Sequence, residues 1–205
     1  MSRALVAGLV AGYGIAVPVG AVGTYLVVVS ARSGVRRGAF GAVGVASADA
    51  VYAAVAVLGG AALASVVEPV ARPLQLVSVV VLLGIAVVLA LRTLRDRGSE
   101  CREVVAATFG SDLRVYLAFL GMTVLNPMTV VYFTALVLGG QGELFGSTAD
   151  RVAFVVAAAL ASASWQLLLA TGGAMLGRVA TGERGRLVTG LTSSAVIAVL
   201  ALRLL

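Results

Sequence analysis

The sequence predicts an all-α, polytopic membrane protein of six transmembrane helices, and three observations carry that prediction. The chain is 60% hydrophobic and only 12% charged, with a mean hydropathy of +1.08. Soluble domains average about 25% charged residues. The apolar residues fall into six runs, 4–30, 39–64, 74–91, 115–139, 152–176 and 187–205, each near the ~20 residues that cross a hydrocarbon core. Charge collects between the runs. None of them alternates in the way a membrane-barrel strand of about ten residues would.

The first run, 4–30, is interrupted midway by Val17-Pro18-Val19-Gly20. Proline lacks a backbone donor and clashes with the carbonyl four residues earlier, so a kink or break is expected there. The run is also longer than the 7–15-residue core of a cleavable signal. The second, 39–64, holds Asp49 as its single acid. A carboxylate at the centre of a spanning helix costs roughly 2.5–3.5 kcal/mol, so a cavity, a cation, a proton or a partner side chain must offset it. Pro69 and Pro73 punctuate the connection to the third run, 74–91.

The fourth run, 115–139, carries a second candidate break at Leu125-Asn126-Pro127, and Gly139-Gly140 follow it. The fifth, 152–176, contains Ala161-Ser162-Ala163-Ser164-Trp165-Gln166 and then Gly172-Gly173. Small residues let helices approach closely. Trp165 and Gln166 stand near mid-segment, away from the interfacial belt where Trp is common. Gln166 reads equally as a cross-link between helices and as a cavity residue. The last run, 187–205, closes the bundle.

Arginine counting sets the orientation. Loops one, three and five hold Arg32, Arg36 and Arg37; Arg92, Arg95, Arg97, Arg102 and Arg114; and Arg178, Arg184 and Arg186. Loops two and four hold only Arg72 and Arg151. Loops one, three and five are therefore expected in the cytoplasm of a bacterial cell, with both termini outside the inner (plasma) membrane. The chain reads as a single transmembrane domain over 1–205, with halves of about 1–91 and 115–205 joined by a cytoplasmic linker, 92–114. Three helices per half make the halves inverted. Inverted repeats with discontinuous first helices are the architecture of secondary transporters, with substrate held at mid-membrane. Pro18 and Pro127 occupy matching positions in the two halves, so helices 1 and 4 are the expected broken pair.

Composition narrows the chemistry. There is no His, which removes Ser–His–Asp triads, His-based zinc motifs and imidazole relays. The single Cys101 cannot close an intramolecular disulfide. The net charge of +6 sets fifteen positive residues, all Arg, against nine acids, with the Arg spread between apolar runs and not along a basic face with interleaved aromatics, so no nucleic acid is expected. One intramembrane acid does not assemble the clustered carboxylates or metal ligands of an intramembrane enzyme. No metal or cofactor is expected. A structural membrane subunit and a passive channel are the remaining rivals to a carrier.

Taken in order, Pro18-Val19-Gly20, the run Arg32-Ser33-Gly34-Val35-Arg36-Arg37-Gly38, Asp49, Leu125-Asn126-Pro127 and Trp165 resemble the LysE/RhtB family of amino-acid exporters over nearly the whole length. The resemblance implies export of an amino acid or related small polar solute, by exchange for protons. Gly-rich helix faces permit the carrier to pair as a homodimer among membrane lipids without requiring it. The resemblance points to Asp49, Pro18, Gly20, Asn126, Pro127 and Trp165 for substrate binding or coupling, and Gln166 joins them as a candidate from its own mid-segment position. Tyr13, Tyr52 and Tyr132 are further wall candidates. One departure stands out: Ala21 follows Pro18-Val19-Gly20 where the family carries a polar residue, so a carrier for another small solute is an open alternative.

Overall fold

The computed structural model describes residues 1–95, 111–126, 129, 132, 146–179 and 183–202. Among them all regular secondary structure is helical: α1 (Ser2–Ala16), α2 (Ala21–Ser33), α3 (Val35–Arg95), α4 (Asp112–Val124), α5 (Thr148–Val179) and α6 (Glu183–Leu202). Val35–Gly59 and Thr148–Gly177 are each long and apolar enough to span a membrane, and α1 with α2 makes a third such span if the bent pair counts as one.

Local chemistry sets the helix ends. α1 stops at Ala16 and α2 begins at Ala21, with the two axes 76° apart across Val17–Gly20. Pro18 removes a donor at this point, and Gly20, in extended backbone, is the N-cap of α2. Leu125 caps α4 at its C-terminal end, so this helix also stops where the sequence places a break; Pro127 lies outside the described residues. Ser111 caps the start of α4 by accepting the Arg114 amide at 3.3 Å. Ser147 accepts the Asp150 amide at 3.2 Å and donates its hydroxyl to the Asp150 carboxylate at 2.7 Å, a reciprocal cap at the start of α5. Hydropathy alone starts runs four and five a few residues too late because these capping turns are polar.

α2 ends on Gly34, whose φ of +87° is left-handed and whose amide bonds the Ser30 carbonyl at 2.9 Å. A Cβ there is strained whatever the space around it. Gly34→Ala is expected to cost about 1–2 kcal/mol, a fall of about 2–8 °C in melting temperature for a chain of this size. An unchanged melt in detergent would show that the junction does not depend on this conformation.

The sequence separates runs two and three by a loop, but helical backbone continues from Val35 through Pro69 and Pro73 to Arg95. Proline's fixed φ is itself helical, so these residues do not force the backbone out of helical dihedrals. The run is nevertheless not straight. Asp49 and Leu82 line one cavity, whereas 33 residues of straight helix would set them about 50 Å apart. α3 therefore folds back between them, and its two limbs meet different sides of α2. Ala42 and Val45 pack with Val22, Leu26 and Phe119, while Leu82 and Ala86 pack with Ala21, Val28 and Ile197.

The bent pair α1–α2 runs alongside α5 in a fixed register. Gly8 abuts the backbone of Phe154, Gly12 that of Ala158, Gly173 that of Val27 and Gly177 that of Ala31. In every case the α5 residue stands 146 positions after its partner (154 against 8, 158 against 12, 173 against 27, 177 against 31). Glycine pairs four residues apart on both sides of the break bring the backbones into contact, the packing that drives helix association where the hydrophobic effect is absent. The same offset places the break, 17–20, opposite 163–166 on α5.

Ion pairs mark the two ends of the bundle. Arg36 and Arg37 lie 2.9 Å and 3.8 Å from the Asp112 carboxylate, joining the starts of α3 and α4. The Met1 amino group lies 2.6 Å from Asp150, joining the starts of α1 and α5. Exposed pairs of this kind contribute little to stability; their value is to fix which termini are neighbours.

Candidate functional site

The broken helix exposes two sets of backbone groups that a continuous helix would pair internally. The last carbonyls of α1 and the first amides of α2 lack intrahelical partners by geometry, and no side chain caps the start of α2. The first intrahelical amide of α2 is that of Thr24, bonded to the Gly20 carbonyl at 2.9 Å. A cavity of about 430 Å³ opens here, lined by Gly14–Ala16 on one side of the break and Gly20–Gly23 on the other. The negative end of one helix and the positive end of the next thus border one volume.

Side chains from four other parts of the bundle close it. Asp49 comes from α3, Thr123 from α4 with Asn126 just past its end, Gln166 from α5 and Leu200 from α6. Asp49 is the single charged residue among those lining the cavity, and only 4% of it is accessible. Ser162 on α5 is fully buried and donates its hydroxyl to Asp49 Oδ2 at 2.6 Å. Gln166 stands one helical turn further along, on the same face. It is 5% exposed, and its Oε1 is buried without a hydrogen-bond partner. Leaving such an acceptor unmatched costs about 1–3 kcal/mol, a penalty that a donor arriving in the cavity would relieve.

Of the residues singled out from the sequence, Pro18, Gly20, Asp49, Asn126 and Gln166 line this one cavity. Trp165 is half-buried and does not line it, and its indole Nε1 is buried without a partner. Among the tyrosines, Tyr132 lines the cavity, and its hydroxyl rests against Gly14. Tyr13 does not line it and hydrogen-bonds Ser164 across 2.9 Å. Tyr52 does not line it either; it donates to the Val124 carbonyl at 2.6 Å, at the C-terminal end of α4. The Asp49 carboxylate bonds Ser162 while lining the open volume, so its geometry does not choose between a cross-link and a cavity role.

Sequence reasoning missed Ser162, Thr123, Leu82 and Leu200. Ser162 had a usable signal: it precedes the mid-membrane Gln166 by four residues and so shares its face. Thr123 had a weaker one, standing three residues before Asn126; its hydroxyl is turned back to the Phe119 carbonyl at 2.8 Å. Leu82 and Leu200 had none, since one leucine in an apolar run looks like any other.

No curated relative and no solved structure matches the chain. The family model described as LysE type translocator matches residues 14–205, a stretch that takes in both sides of the break, Asp49, Asn126 and Gln166. The chain belongs to the LysE type translocator family.

Proposed function

We propose that the protein exports an amino acid or a related small polar solute across the bacterial plasma membrane, by exchange for protons. Membership of a translocator family makes the substrate a small molecule. The observation that carries the finer reading is the buried carboxylate of Asp49 in a cavity bordered by both ends of a broken helix. A translocated ammonium group and a proton would compete for that carboxylate, which is the minimal device for antiport. Pro18, Gly20, Asn126 and Gln166 would bind solute from the cavity wall. Pro127 and Trp165 remain proposed contributors through the second broken helix and the packing behind Gln166.

The architecture we propose has six spans in two inverted halves, 1–91 and 115–205, with 92–114 as a linker. Loops one, three and five face the cytoplasm, and the neighbouring starts of α3 and α4 support placing loops one and three on one side. Pairing into a homodimer is compatible with the lipid-facing surface. Export is tested in proteoliposomes preloaded with unlabelled amino acid: external labelled amino acid should accumulate transiently, saturably, and in a manner dependent on an imposed pH gradient. Linear flux without a gradient dependence would indicate a passive channel. No flux of any amino acid would leave a carrier for a different solute or a non-transporting subunit.

Orientation has its own test. Cys101 falls in the proposed cytoplasmic linker, outside the described residues. An impermeant maleimide added to intact cells is expected to leave it unlabelled until the membrane is opened. Labelling from outside would reverse the topology.

A further inference from the structure

The cavity is chemically lopsided. Asp49 supplies its one charged side chain, no arginine lines it, and the acceptors Asp49 and Gln166 come together through neighbouring turns of α5 by way of Ser162. On the opposite side the first-turn amides of α2, at Ala21, Val22 and Gly23, border the cavity, where the helix dipole adds positive potential, and the polar side chains of Asn126, Thr129 and Tyr132 also line it. The wall beyond α2 is apolar. Leu82, from the returning limb of α3, and Leu200, from α6, both line the cavity and belong to the cluster that packs against Ala21.

We infer that the cavity selects zwitterionic amino acids with uncharged aliphatic side chains. The α-ammonium group lies between Asp49 and the unmatched Gln166 Oε1, the carboxylate sits on the amides of Ala21–Gly23, and the side chain lies against Leu82 and Leu200. The inference rests on the export reading above and narrows it. With the α-ammonium held by the acceptor pair, a lysine or arginine side chain would direct its charge onto a leucine wall that offers no acceptor. A glutamate side chain would meet the same wall without a donor. Burying either charge unpaired is prohibitive. A solute with only one of the two charged ends forfeits half of the recognition: an amine leaves the α2 amides unmatched, and a carboxylic acid leaves Gln166 and Asp49 so.

The test is exchange in proteoliposomes loaded in parallel with leucine, lysine, glutamate, isoamylamine or 4-methylpentanoate, with labelled leucine outside. Leucine inside should drive labelled uptake at least ten times faster than any of the other four. Gln166→Ala should lower leucine exchange about tenfold, and Leu200→Ala should admit phenylalanine while lysine stays excluded. Lysine or glutamate exchanging as well as leucine would overturn the inference and leave amino-acid export standing. Isoamylamine matching leucine would also overturn it, by removing the carboxylate site. Exchange of no amino acid at all would remove both the inference and the reading beneath it.

Discussion

Asp49→Asn is expected to abolish solute-driven and proton-driven exchange while leaving a folded protein in the membrane. Asparagine keeps the shape of the side chain and an oxygen that can accept the Ser162 hydroxyl, now 2.6 Å from Asp49 Oδ2. What it loses is the negative charge and the ability to exchange a proton. Removing one partner of a buried, hydrogen-bonded charge pair typically costs 2–5 kcal/mol, so transport should fall by about 30-fold or more. Stability should move little, because burying a neutral amide in that setting costs less than burying a carboxylate. The two readouts separate the roles. Lost exchange with an unchanged melting temperature assigns the charge to transport, whereas full exchange in the variant would remove Asp49 from coupling altogether.

Much of this site was legible because membranes make polar residues conspicuous. Asp49, Gln166 and Asn126 stand out from runs of Ala, Val, Leu and Gly, and the cost of placing them in hydrocarbon is itself the signal. The break at Pro18–Gly20 was legible from proline chemistry, and the end of α4 beside Asn126 from the same reasoning. The fold-back of α3 was less so. Pro69 and Pro73 suggested a loop, yet helical backbone runs through them, because a proline tells of a missing donor and not of the path that follows. The apolar wall was invisible: Leu82 and Leu200 acquire meaning only when the returning limb and α6 are placed beside Ala21. The register between α1–α2 and α5 was half visible. Each glycine pair could be noted, but the shared offset of 146 needed the structure.

That register explains why Trp165 and Gln166 matter in different ways. Carried across the break, it sets 165 and 166 opposite Val19 and Gly20, where α1 and α2 diverge and the glycine contacts lapse. Gln166 turns into the volume so created, while Trp165 stays outside it. The cavity is therefore a consequence of pairing a broken helix with an unbroken one. Where both are regular they touch backbone to backbone, and where one is interrupted they cannot.

Adjacent glycines on α5 provide the sharpest check of this packing. A Cβ on Gly173 would lie 2.6 Å from the Val27 carbonyl oxygen and 2.9 Å from its Cα, whereas one on Gly172 would meet nothing within 4 Å. Backbone atoms cannot rotate aside as a side chain can, so Gly173→Ala must push α2 away from α5. Overpacking of this sort costs about 1–3 kcal/mol, and the loss of close approach removes the contact that holds the helices together in lipid. Gly172→Ala should do the opposite, gaining up to about 1 kcal/mol of helix propensity. The pair is expected to melt on opposite sides of the parent in detergent, with Gly173→Ala also losing exchange because α2 carries the amides of Ala21–Gly23 into the cavity. Equal melting of the two variants would mean that α2 and α5 do not meet along Val27 and Gly173, and the cavity between them would have to be redrawn.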